Sequence, residues 1–245
     1  MLFRSRLILF SEAGVTGYTL AHRQPQNLVT LGDPICKRLH ALARRHRIAV
    51  AAGFFERKGS GIHVSHAVFF PSGELVVQRK ARRGTVDKTI KGLRGGPAKR
   101  VVFEVNGIRC AISICADSGI ANLWNDLARQ GVQLHLLPTA GCGPRSLGFT
   151  EAELDQPARL RLYLKRAESV VFSKDAVRIC RKHRIAMATC NQMANDGIAY
   201  FQPGHSMIVD STGELAALIP GCFVFEHLRE RIICGHVHPH EPKMA

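Results

Sequence analysis

Ten short apolar runs, three helical segments set between some of them and three hairpin turns predict an α/β (α+β) sheet fold. Several of the runs are continuously apolar rather than alternating, which marks strands covered on both faces. The mixture of helical crossovers and hairpins excludes a pure doubly wound sheet. No GxGxxG or phosphate-binding loop is present, so nucleotide binding has no support.

The elements follow in order. The run "RLILF" ends two residues before Glu12 and a loop with two glycines. "DPICKRLHALARRHR" reads as a helix, with Asp33 as N-cap and Pro34 at the first helical position. "RIAVAAGFF", "IHVSHAVFF" and "ELVVQ" are three strands, the last two joined by the turn in "FFPSGELVV". "RVVFEV" and "IRCAISIC" flank Asn106-Gly107, the strongest short hairpin signal. "IANLWNDLARQG" is a helix stopped by Gly131. "VQLHLLP" is the next strand. "SKDAVRICRKHR" is a helix whose basic end suits a helix C-terminus. "RIAMATCN", "HSMIVD" and "ELAALIP" complete the strands, the last two joined by the turn in "IVDSTGELAAL".

The chain of 245 residues, 46% hydrophobic, suits one large domain over 1–245. No apolar run is long enough for a membrane helix and no secretory leader is recognisable, so a soluble cytoplasmic protein is expected. The eight cysteines form no CxxC pair and are expected to be reduced and mostly buried. The net charge of +15 is concentrated in residues 79–100 and 159–184. Such stretches bind anions or simply form solvated loops and helix faces; no zinc-finger or RNA-recognition pattern accompanies them.

Three positions carry chemistry. Glu12 is a carboxylate at a strand end beside a glycine-containing loop, where it either caps a turn or acts on a ligand. Lys80 ends "GELVVQRK"; beside Arg79 it is a solvated surface lysine or a cation for a developing oxyanion. Cys115, in "AISICADSG", lies where a buried strand turns sharply into the next helix, the geometry of a nucleophile elbow. N–H groups at a helix start there would lower the thiol pKa, and Asp117 would cap the first turn.

In this order the three positions resemble the nitrilase (carbon–nitrogen hydrolase) superfamily. "LFSEAGVTGY" resembles its glutamate segment, "PSGELVVQRK" its lysine segment and "AISICAD" its cysteine segment, with Ala116 in place of the common aromatic. "AAGFFER", "MATCNQ" and "PGHSMIVDSTGEL" are supporting segments. The resemblance implies a four-layer α-β-β-α sandwich of two mixed sheets with outer helices. It implies hydrolysis of a non-peptide carbon–nitrogen bond, an amide or N-carbamoyl group, with nitrile as a further substrate of the same triad. Glu12 would be the general base, Cys115 the nucleophile, and Lys80 with the Ala116 backbone N–H the oxyanion donors. Asp87 and Tyr18 are candidates for positioning substrate, Asp87 being the only acid where many members carry a second glutamate. No cofactor or metal is required. A homo-oligomer and a small-molecule substrate are implied, and the basic 79–100 segment hints at an anionic one; neither membrane nor nucleic acid is expected as partner. The family's first strand and helix, normally upstream of the glutamate segment, are expected to be missing.

Two rivals compete. A non-catalytic relative would use the basic surface to bind a partner or nucleic acid, in a salt-dependent way. The tail "CGHVHPHEP" gathers Cys234, His236, His238 and His240, a compositional hint of a metal site.

Overall fold

The computed structural model describes residues 5–17, 27–141, 147–150, 152–171, 174–195, 201–221 and 232–237. The strands are β1 (Leu7–Leu9), β2 (Ala49–Lys58), β3 (Gly61–Phe69), β4 (Leu75–Arg79), β5 (Val102–Val105), β6 (Ile108–Ile112), β7 (Leu134–Thr139), β8 (Ala186–Asn191), β9 (Met193–Asn195), β10 (Phe201–Val209) and β11 (Leu215–Gly221). The helices are α1 (Pro34–His46), α2 (Leu123–Arg129), α3 (Pro157–Val171) and α4 (Lys174–His183).

β1 to β4 form one sheet in sequence order, β1 parallel to β2 and the others antiparallel. The second sheet runs β11-β10-β8-β7-β6-β5, with β9 paired to β10; its central β6-β7-β8 strands are parallel and the flanking pairs antiparallel.

Two-residue periodicity on doubly covered strands builds the layers. Along β2, Ala49, Ala51 and Phe55 enter one cluster, while Val50, Ala52 and Phe54 enter another with α1. The first cluster also holds Phe103, Cys110, Ile112 and Leu136 of the second sheet, so one core lies between the sheets. On the far side of the second sheet, Ala111 packs with Leu123 and Leu127 of α2, and Met187 and Val209 pack with Cys180 of α4. The layers are therefore α1, first sheet, second sheet, then α2 and α4, the α-β-β-α sandwich expected.

Three local expectations need correction. Asp33 stands at the N-cap of α1 but turns its carboxylate back onto the Thr30 backbone N–H (2.8 Å) and hydroxyl (2.6 Å) instead of onto the helix. α3, which the apolar periodicity did not single out, spans Pro157–Val171 and overlaps the first half of the basic stretch 159–184. β9 was also not expected; it is three residues long and follows β8 after one residue. Among the described residues no helix is long and apolar enough to cross a membrane.

One glycine is fixed by a close approach. A Cβ on Gly53 would lie 1.8 Å from the Glu12 carbonyl oxygen and 2.8 Å from Nδ1 of His66. β2 therefore passes directly beneath the Glu12 backbone, and only a residue without a side chain allows it. Gly53→Ala should force backbone movement costing about 2–3 kcal/mol, or roughly 5–10 °C in Tm for a chain of this size. Thermal unfolding followed by circular dichroism checks this; an unchanged Tm would contradict the packing.

Candidate active site

Glu12, Lys80 and Cys115 leave three different strands and converge at one end of the sandwich. Glu12 follows β1, and its backbone N–H bonds the Thr139 carbonyl of β7, tying the first sheet to the second. Lys80 is the first residue after β4; its own N–H still bonds the Val64 carbonyl (2.8 Å). Cys115 follows β6 and opens a 3-10 turn, Cys115–Gly119.

The three side chains share one buried cluster. Nζ of Lys80 lies 2.5 Å from Oε1 of Glu12 and 2.6 Å from Oδ2 of Asp87. Both carboxylates are fully buried and Lys80 is 3% exposed. The solvated reading of Lys80 is thus overturned. Asp87 stands in a 3-10 turn, Asp87–Thr89, and also accepts the Gly84 N–H at 2.7 Å. The only acid of the basic segment has become a direct partner of the lysine.

Neighbouring charges set the protonation states. Burial disfavours the Lys80 ammonium, but Glu12, Cys115 and Asp87 more than offset this and raise its pKa, so the lysine stays charged. Burial pushes the Glu12 carboxyl up; Lys80 pulls it back and Asp87 raises it, with a raised net result. Cys115 is pushed up to about 12, by burial first and the Glu12 charge second, against the pull of Lys80. The expectation of a thiol with lowered pKa is therefore corrected. The reason is structural: Cys115 is followed by a five-residue 3-10 turn, and α2 begins only at Leu123 after Asn122 in a left-handed conformation. The turn that holds the sulfur is thus not the start of a long helix. The charges nearest the thiol are instead those of Glu12, which pushes its pKa further up, and of Lys80, which pulls it down.

Titration alone does not single out Cys115, since Cys110 and Cys180 are also pushed up to about 12 by burial. Geometry does. Cys115 has φ of 47°, the left-handed region unusual for a non-glycine residue, and it is half-buried beside a carboxylate and an ammonium. Ala116 follows at the second position of the turn, where a backbone N–H has no partner within the turn itself.

The surroundings hold this corner in place. Asn191, at the end of β8, accepts from the Thr139 hydroxyl and the Gly141 N–H and donates to the Gly141 carbonyl. Gly141 is the wall beside the Cys115 sulfur: a Cβ there would stand 3.9 Å from Sγ. Arg79 is not a surface turn residue. Its guanidinium forks onto Glu56, at 2.7 Å and 2.6 Å, and Glu56 also accepts the Ser65 hydroxyl at 2.6 Å. The basic segment 79–100 divides accordingly: Lys80 and Arg100 are buried, Arg79 is paired, and Arg82, Arg83, Lys88, Lys91, Arg94 and Lys99 are exposed.

Asp117 is more than a cap. It is fully buried and takes hydrogen bonds from the lysine loop, from the cysteine turn and from Arg100. Its position two residues after the cysteine was legible, but its partners were not. Tyr18 lies outside the described residues, as do His238 and His240; Cys234 and His236 of the same tail are exposed. Among the described residues no group of three or more possible metal ligands occurs.

Known proteins share the family and the fold. The carbon-nitrogen hydrolase family model matches residues 3–221. An arylacetonitrilase of Fusarium vanettenii is 25% identical over 236 residues, covering 85% of this chain and 68% of that protein. An arylacetonitrilase of Macrophomina phaseolina is 30% identical over 115 residues, covering 42% of this chain and a 33% share of that relative. A CN-hydrolase superfamily protein of Xanthomonas campestris, crystallised with an arsenic adduct in its active site, superposes with a TM-score of 0.65 at 17% identity, covering 89% of this chain and 74% of that one. A mutant amidase of Nesterenkonia AN1 gives a TM-score of 0.65 at 19% identity, covering 88% and 74%. At these identities the two structures share the fold.

The raised carboxyl of Glu12 makes a prediction for Cys115. Glu12 must be ionised to take the thiol proton, so alkylation by iodoacetamide should fall as pH drops through the raised pKa. The acid limb should then lie above the ordinary carboxylate range. Mass spectrometry of alkylated Cys115 across pH checks this; a limb at ordinary glutamate values, or one unchanged in Glu12→Gln, would contradict it.

Proposed function

Because this chain belongs to the carbon–nitrogen hydrolase family, we propose that it hydrolyses an amide or N-carbamoyl compound through a thioester on Cys115. The observation that carries the reading is the buried contact of one ammonium with two carboxylates beside a cysteine in a strained turn.

Glu12 takes the Cys115 proton as the sulfur attacks the carbonyl carbon. A thiol pushed up to about 12 is almost wholly neutral at pH 7, so attack and proton transfer are coupled. A carboxylate with a raised pKa is a stronger base than a solvated one. The carbonyl oxygen becomes an oxyanion held by the Lys80 ammonium and the Ala116 N–H. Protonated Glu12 then gives its proton to the departing nitrogen, and ammonia or an amine leaves with the C–N bond broken. Water enters, gives a proton to Glu12 and attacks the thioester; the acid leaves and the thiol is restored. Through both halves the Lys80 charge is held by Glu12 and Asp87 and is never itself the acid.

Asp87 carries the part of a second carboxylate. It holds Nζ together with Glu12 and so helps fix where the ammonium sits. The exposed cations of the 79–100 segment favour an anionic substrate, by raising its concentration near the site. A homo-oligomer belongs to the same reading, and light scattering of the purified chain measures it.

Cys115→Ala and wild type, assayed for ammonia release on amides, N-carbamoyl amino acids and nitriles, should differ by loss of all turnover; equal rates would sink the assignment. Lys80→Met should lose about 100-fold or more in kcat, the usual scale for one oxyanion donor. It should also lose stability, by about 3–5 kcal/mol, since two buried carboxylates are left without their cation. Activity and Tm measured on the same preparation check both.

A further inference from the structure

Lys80 and Cys115 each lie just outside a strand, Lys80 after β4 with one bond left to β3, from its N–H to the Val64 carbonyl, and Cys115 after β6. Yet an oxyanion donor and a nucleophile must keep a fixed distance. Two residues that the chemistry does not use sit between them. Oδ1 of Asp117 accepts the backbone N–H of Ala81 (3.0 Å) and of Arg82 (2.8 Å), the two residues after Lys80. Oδ2 accepts the N–H of Ile114 (3.1 Å), the residue before Cys115, and Nη1 of Arg100 (2.7 Å). The carboxylate is fully buried and the Arg100 side chain is 1% exposed.

Arg100 closes the other end. Its remaining donors bond the carbonyls of Pro97 and Ala98, and the Gly96 N–H bonds the Lys80 carbonyl at 2.7 Å. The long connection from β4 to β5, which carries Asp87, is thereby pinned at both ends onto the same carboxylate. Four donors require an acceptor with two oxygens and a negative charge, which an amide cannot supply.

We propose that Asp117 and Arg100 are positioning residues that set the distance between the Lys80–Asp87 pair and Cys115. This rests on the reading of Glu12, Lys80 and Cys115 as the reacting groups. The clamp touches no substrate. It acts by holding the peptides on either side of the reacting residues, so that the ammonium stays against Glu12. Loosening it withdraws Lys80 from Glu12, leaving Asp87 and Cys115 as its other titratable neighbours among the described residues.

The test is Asp117→Asn, with Arg100→Lys as a milder variant that keeps a buried positive charge without the fork. Each full-length variant is alkylated with iodoacetamide across pH, with Cys115 modification read by mass spectrometry, and Tm is taken on the same sample. The expected result is a Cys115 rate about 100-fold lower at neutral pH, the scale of a small misplacement of reacting groups, and an acid limb moved to higher pH. Arg100→Lys should move both in the same direction by less. A lowered Tm with the wild-type rate and limb in both variants would make the pair merely structural and overturn the proposal. Alkylation needs no substrate. A wild type that hydrolyses nothing on the panel, with a limb that still moves in Asp117→Asn, would refute the hydrolytic reading and keep the clamp. On an active wild type, kcat should fall with KM little changed.

Discussion

An ammonium enclosed by two carboxylates in a dry corner is the constraint on which this structure depends. Three charges out of water are tolerated only if their geometry is held closely. Lys80 reaches Glu12 and Asp87 at 2.5 and 2.6 Å, and each partner is anchored separately. Glu12 is tied through its backbone to β7, Asp87 through its oxygen to Gly84, and Lys80 through its backbone to β3 and to Gly96. The cluster is negative by one unit with the thiol neutral. It keeps that charge when a proton passes from Cys115 to Glu12, so the proton moves without further charge separation from the surroundings.

The sandwich makes this corner possible. Glu12 and Lys80 belong to the first sheet and Cys115 to the second. Only face-to-face packing of the two sheets over one shared core brings their ends together. Close approaches then take over from hydrogen-bond ladders. Gly53 lets β2 pass under Glu12. Gly95 and Gly96 press onto Ala81 and Arg79, with built Cβ atoms 2.7 Å from the Ala81 carbonyl and 2.6 Å from the Arg79 Cβ. Such positions resist substitution because backbone, not a flexible side chain, is the obstacle.

The same physics separates the cysteines. Cys110 and Cys180 are buried among apolar groups and behave as small hydrophobes. Cys115 has an equally raised thiol pKa but faces a base, an ammonium and a turn with φ of 47°. What sets Cys115 apart is therefore its charged neighbours and its strained turn, not a lowered thiol pKa.

The sequence by itself determined all the strands but the short β9 and most helices, because a strand covered on both faces must be apolar throughout and hairpins need Asn-Gly or Gly turns. It also drew attention to Glu12, Lys80 and Cys115, each at or just past the end of such a run, and their grouping as a triad came from the family resemblance. It left α3 unassigned, where charged residues interrupt the apolar period. It also left the fate of Arg79, Asp87, Arg100 and Asp117 undecided, because a charged residue in a basic segment looks the same whether solvated or buried. Tertiary structure decided these. Burial and pairing are properties of two segments at once, and the partners of Asp117 lie 35 and 36 residues away along the chain. For the same reason only the fold could show that the Cys115 thiol is raised: its burial is set by packing between segments, and its neighbour Glu12 comes from the other sheet.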